Sequence, residues 1–272
     1  QGFVHTRFGI PSFVVTLAGL LGWQGALLWV LGDTGTVNLN AAFIVDLAGT
    51  FFDDVVGWII AAALIAVYAA VALAGRRERL KAGLDALPAG LVVARIVAVA
   101  IPVLLTVWIV NQDRGLPLAL VILVGFVILF DYVTQRTRFG RHVYAVGGNE
   151  EAARRAGIRV GRVRVAVFAL ASMMAACGGI MLASRLLAVN QSSGGSDLLL
   201  LSIAGPVIAG TSLFGGRGRV WSALLGALVI GSISNGMDLL AYSSDTKFMV
   251  TGAVLLGAVV VDAATSRRRR RA

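Results

Sequence analysis

In 272 residues the chain carries 58% hydrophobic and 14% charged residues, where a water-soluble domain averages about 45–50% apolar and about 25% charged. A net charge of +10 would point a soluble protein towards nucleic acid, yet here the Lys and Arg sit in short clusters between long charge-free runs, with no aromatic residues interleaved for base stacking. Both a water-soluble domain and a nucleic-acid partner are thereby excluded, and the runs call for lipid as their solvent.

A bilayer core of about 30 Å takes about 20 apolar residues in a helix. Eight stretches qualify, at residues 9–32, 55–75, 89–110, 116–133, 165–184, 198–215, 220–237 and 248–265. The expected fold is all-α, a polytopic transmembrane helical bundle forming one transmembrane domain over residues 1–272. The chain opens at Gln1 with neither a Met nor the pattern of a signal peptide, so an upstream part is expected to be missing.

Basic residues accumulate in cytoplasmic loops because they resist translocation. Alternate loops carry Arg7, then Arg76, Arg77, Arg79 and Lys81, then eight arginines between Arg136 and Arg164, then Arg217 and Arg219, then arginines 267–271, together 20 of the 24 basic residues. The opposite loops hold Asp33, Asp46, Asp53, Asp54, Asp113, Asp197 and Asp245 against Arg114 and Lys247. Eight spans with both ends cytoplasmic satisfy this asymmetry.

Small residues recur every fourth position at Ala62, Ala66, Ala70 and Ala74, at Ala171, Ala175, Gly179 and Ala183, and at Ala223, Ala227 and Gly231. Such stripes suit close helix packing in lipid, or a helix face that slides or lines a pathway. The stretch 198–215 differs, since Gly205, Pro206, Gly210, Gly215 and Gly216 interrupt it. It reads as a broken helix or as a Pro-kinked one.

No catalytic signature is present: the sequence lacks G-x-S-x-G, H-E-x-x-H and G-x-x-x-x-G-K-[ST]. His5 and His142 lie in separate basic loops, so no shared metal is expected. Cys177 stands alone in an apolar run and forms no disulfide within the chain. The run from Gly215 to Arg219 reads as a tight cytoplasmic turn.

The informative stretch is the cytoplasmic loop 135–164. Within it Gly147, Gly148, Asn149, Glu150, Glu151, Ala152, Ala153, Arg154, Arg155, Ala156, Gly157 and Ile158 spell a short punctuated helix. Asn149 is an N-cap, the two Glu favour the positive end of the helix dipole, the two Arg the negative end, and Gly157 fits the position just past the end. So few residues are marginal as a helix in water, so something must hold them. Ala152, Ala153 and Ala156 offer a patch that docks on another protein, or one that lies against the membrane surface or a neighbouring loop.

These residues, with Arg138 to Tyr144 before them, Gly178-Gly179-Ile180, Ala183-Ser184-Arg185-Leu186, the run Gly210 to Gly218, the opening Thr6 to Leu17 and the closing Asn235 to Leu240, resemble the permease subunits of bacterial ABC importers for monosaccharides, in particular the xylose-type branch. The resemblance covers nearly the whole chain and implies a pentose importer permease of the cell (inner) membrane that is not itself an enzyme and holds no cofactor, with ATP and Mg in the partner. The implied partners are an ABC ATP-binding subunit, an extracytoplasmic sugar-binding protein, a second permease copy and the lipid bilayer. The resemblance also makes the helix after Asn149 the ATPase-coupling helix. Family members carry further spans upstream of Arg7, and Leu201 and Gly205-Pro206 depart from the family's pattern.

For a substrate pathway the polar or helix-breaking candidates are Arg185, Asn190, Gln191, Ser192, Gly205, Pro206 and Thr211. Arg185 reads equally as snorkelling outward or pairing with Asp197. Two rivals remain: a branched-chain amino-acid ABC permease of the same broader fold, and a secondary transporter, which would place an acid or base at mid-membrane.

Overall fold

The computed structural model describes residues 1–83, 85, 88–212, 215–243, 245–254, 256, 257 and 260, with Ser196 and Asp197 described for their backbone alone. In chain order, α1 (Gly2–Phe8) and α2 (Ser12–Leu31) lead through a 3-10 turn (Gly32–Thr34) to β1 (Thr36–Asn38). Then come α3 (Ala42–Gly49), β2 (Phe51–Phe52), α4 (Asp54–Lys81), α5 (Ala89–Val110), β3 (Leu116–Pro117) and α6 (Leu118–Arg136). The second half holds α7 (Arg138–Gly148), α8 (Glu150–Arg155), α9 (Val160–Leu186), β4 (Ala188–Asn190), α10 (Ser196–Ile208) and α11 (Val220–Leu239).

Six of the eight predicted spans coincide with helices long and apolar enough to cross a membrane: α2 with the 3-10 turn that follows it, α4, α5, α6, α9 and α11. The chain is thus a polytopic helical membrane protein. α4 runs six residues beyond its predicted end at 75, through Arg76, Arg77 and Arg79 to Lys81. Arg and Lys are good helix formers whose stems lie along apolar surface while their heads reach water, so a charge cluster need not end a helix. The seventh predicted span, 198–215, is helical only up to Ile208 and is too short to cross alone. Of the eighth, residues 248–254, 256, 257 and 260 are described and helical; its other residues and arginines 267–271 lie outside the described residues.

The chain divides into two compact units, residues 40–123 and the remainder. In residues 40–123, α4 packs on α5 around buried Ala61, Val107 and Leu116, with Phe52, Ile60 and Val103 against them. The antiparallel β2–β3 pair, Phe51 opposite Pro117, closes one end. In the other unit α1 lies on α9, with Gly2 against Phe168 and the His5 and Phe168 rings 5.9 Å apart. There β1 pairs antiparallel with β4, Thr36 opposite Asn190.

Most small-residue stripes are not where these helices meet. Ala62, Ala66, Ala70 and Ala74 are exposed, as are Ala171, Ala175, Gly179, Ala223, Ala227 and Gly231. Close contacts within the chain use Ala61 and Gly57 on α4 and Gly226 on α11.

Candidate functional site

The loop after α6 is built from local signals. Thr137 caps α7, its Oγ1 accepting the Gly140 N–H at 3.2 Å, and a side chain at Gly140 would run into the Thr134 carbonyl. Glycine at this position therefore lets α7 fold back against the end of α6. At the other end Asn149 caps α8, with Oδ1 accepting the Ala152 N–H at 3.0 Å. α8 ends in a Schellman arrangement: the Ile158 N–H donates to the Ala153 carbonyl and the Gly157 N–H to that of Arg154, both at 3.0 Å, with Gly157 at φ +82°.

Six residues of helix do not hold themselves in water, and the anchor is electrostatic as well as apolar. Glu150 accepts from Arg154 one turn on, at 2.9 Å, and from Arg164 on α9. Ala153 is buried. Glu151 and Arg155 pair with each other across the outer face, 73% and 79% exposed, which leaves both free to meet a partner. Beside α8 a groove of about 480 Å³ opens between α7 and α9, lined by Phe139, His142, Ile158, Arg159, Arg162 and Val163 among others.

Gly215, Gly216 and Gly218 meet this structure through backbone. A Cβ on Gly147 would lie 2.7 Å from the Gly216 nitrogen, and one on Gly216 would lie 2.6 Å from the Gly148 Cα. Gly215 and Gly216 both have positive φ, +86° and +72°, a conformation that costs other residues energy. Nearby the Tyr144 hydroxyl donates to the Gly218 carbonyl at 2.8 Å, and the Ser212 N–H donates to the Arg217 carbonyl at 3.1 Å.

Gly215, Gly216 and Gly218 lie between α10 and α11. α10 ends in a second Schellman arrangement, with the Thr211 N–H on the Pro206 carbonyl at 2.8 Å and the Gly210 N–H on that of Val207 at 2.9 Å. Upstream, Gly205 faces Gly226 so closely that a Cβ on Gly226 would fall on the Gly205 carbonyl. Glycine on both sides permits this backbone approach in lipid.

A family model described as the permease component of a branched-chain amino acid transport system matches residues 1–259. The chain belongs to this permease family. The xylose transport system permease protein XylH of Escherichia coli K12 is 39% identical over 259 residues, covering 95% of this chain and 65% of the relative. XylH of Haemophilus influenzae is 33% identical over the same share of this chain and 68% of its own length. The ribose import permease protein RbsC of Bacillus subtilis is 44% identical over 54% of this chain and 46% of the relative. The permease chain thus spans about two thirds of the length of the curated xylose relatives. No solved structure matches it.

The permease's predicted pathway residues fall into two groups. Arg185, exposed in the last turn of α9, lies just before Asn190, Gln191 and Ser192 in and after β4. There the Asn190 Oδ1 accepts from the Ser192 N–H and from the Ser192 and Ser193 hydroxyls. Gly205, Pro206 and Thr211 belong instead to α10 and its C-cap. Asp197, the suggested partner of Arg185, has no described side chain. The bonds made by Thr137, Tyr144 and Arg164 were not read from the sequence. Thr137 is a capping residue type, a weak signal on its own, whereas the other two make bonds to residues that only folding brings near.

Proposed function

We propose that the chain is the membrane-spanning part of an ATP-driven importer of a pentose, xylose-like sugar, one permease domain over residues 1–272 in a bacterial inner membrane with both ends cytoplasmic. It works with a separate ABC ATP-binding subunit, an extracytoplasmic sugar-binding protein and a second permease copy. The observation that carries this reading is α8 itself: capped at both ends, tied to α9 through Glu150 and Arg164, and presenting Glu151 and Arg155 to solvent. A helix too short to persist alone, yet over-determined in place, is suited to receive force. Residues 147–158 form the coupling element, and the adjoining groove gives the ATP-binding subunit an apolar recess rimmed by Arg159 and Arg162.

The chain performs no covalent step; hydrolysis belongs to the ATP-binding subunit. ATP and loaded binding protein drive alternation between outward-open and inward-open states only insofar as each binds one state better. The sugar's path passes the polar turn at Arg185 and Asn190 to Ser192, then the α10 break at Gly205, Pro206 and Thr211. Cysteine introduced at Glu151 or Arg155 should crosslink to the co-expressed ATP-binding subunit, and crosslinking from Arg114 instead would overturn the assignment.

A branched-chain amino acid is the second reading, favoured by the description of the matching family. A screen of the cognate binding protein against pentoses, hexoses and branched-chain amino acids separates the two. The sugar reading expects saturable binding of a pentose alone.

A further inference from the structure

We propose that the contact between Gly147-Gly148 and Gly215-Gly216, together with the Tyr144 hydrogen bond to Gly218, is the link that carries coupling-helix displacement into the α10–α11 pair. The inference rests on α8 being the coupling helix.

Three observations support it. First, the contact is made by backbone: a Cβ on Gly147 meets the Gly216 nitrogen at 2.7 Å, one on Gly215 meets the Gly147 oxygen at 2.8 Å, and one on Gly216 meets Gly148. Side chains yield by changing rotamer, whereas abutting main chains have no such slack. Second, the contact sits at the hinge of α8. Asn149, in extended conformation at φ −155°, is both the residue that ends α7 and the N-cap of α8, so a moving α8 pulls directly on Gly147 and Gly148.

Third, the far side of the contact leads to two helices that are themselves locked together. Gly215 and Gly216 lie in the connection between the α10 C-cap and the first turn of α11, and the helices meet again, backbone to backbone, at Gly205 and Gly226. Tyr144 adds direction, its hydroxyl reaching the Gly218 carbonyl across 74 residues of sequence. Tyr144, Gly147 and Gly216 are therefore positioning residues, acting on the transport step through α10 and α11.

The test compares sugar uptake and ATP hydrolysis in proteoliposomes containing the complete importer, at equal amounts of assembled complex. Gly147→Ala should lower the uptake obtained per ATP hydrolysed by about tenfold, within the range of site-to-site couplings, while hydrolysis continues. Tyr144→Phe, which removes only the hydroxyl, should lower it by about threefold, as expected for one lost hydrogen bond. Gly125→Ala on α6, where a Cβ meets nothing within 4 Å, should leave the ratio unchanged. A merely structural role would reduce uptake and hydrolysis together.

Unchanged uptake per ATP in Tyr144→Phe and Gly147→Ala would overturn the link, and Tyr144→Phe alone decides if Gly147→Ala does not assemble. The reading of α8 is judged separately, by crosslinking of Glu151→Cys to the ATP-binding subunit. Crosslinking with unchanged ratios removes the link alone; absence of crosslinking removes the reading beneath it.

Discussion

α8 and α10 are both short helices that end on a glycine in the left-handed region with the same pair of reverse hydrogen bonds, yet they are held by opposite means. α8 lies in a basic loop and is fixed by polar bonds: the Asn149 cap, the Glu150 contacts to Arg154 and Arg164, and one buried Ala153. α10 is apolar, and its described side chains make only a local bond, Ser202 to the Leu199 carbonyl; its closest tertiary contact is Gly205 on Gly226. Water favours partners that satisfy charge and capping groups, whereas lipid gives little for burying apolar surface and favours backbones that approach closely.

The comparison predicts unequal sensitivities. Gly226→Ala should have the largest effect, because its Cβ falls on the Gly205 carbonyl; overpacking of this kind costs about 3 kcal/mol, seen as a lowered unfolding midpoint of the detergent-solubilised permease. Gly205→Ala should cost less, since its Cβ stands 3.3 Å from the Gly226 carbonyl carbon and a small shift relieves it. Similar midpoints for the two variants would mean that the crossing is not set by backbone contact.

On the polar side the effects should be smaller and local. Asn149→Ala should destabilise α8 by about 1 kcal/mol, read as faster hydrogen exchange of the Ala152 amide, with Asn149→Asp restoring protection. Gly157→Ala should cost about 1 kcal/mol through its φ of +82°, with the same local readout. Glu151→Ala should be smallest, about 0.3 kcal/mol for an exposed pair one turn apart. A Glu151→Ala effect as large as that of Asn149→Ala would show that α8 is not held chiefly by its cap.

The same contrast explains how much the sequence discloses. α8 is legible from Asn149 on because Asn149, Glu150, Arg154 and Gly157 each act on a neighbour within a turn, whereas Gly147 and Gly148, expected in the same helix, instead end α7. The six long helices were legible because apolar length alone specifies a span. The contact between Gly147-Gly148 and Gly215-Gly216 was not legible: Gly147 and Gly216 carry no side chain to advertise a partner, and Tyr144 reaches across 74 residues. The stripe from Ala62 to Ala74 shows the converse, since spacing by four permits close packing without naming what packs, and α4 meets α5 through Ala61 instead. The path residues from Arg185 to Thr211 stand out by polarity and helix breaking, signals that do not specify a common lining.

The central claim is that the outer face of α8 is read by an ATP-binding subunit. Exchanging its two exposed charges, Glu151→Arg with Arg155→Glu, keeps an ion pair one turn apart within the helix, sets both charges against the helix dipole at a cost of about 1 kcal/mol, and reverses the charges a partner meets. In proteoliposomes of the proposed complete importer, ATP-driven sugar uptake should fall by about tenfold or more, while the sugar-binding protein still docks at wild-type affinity. Uptake unchanged by the exchange would contradict the account.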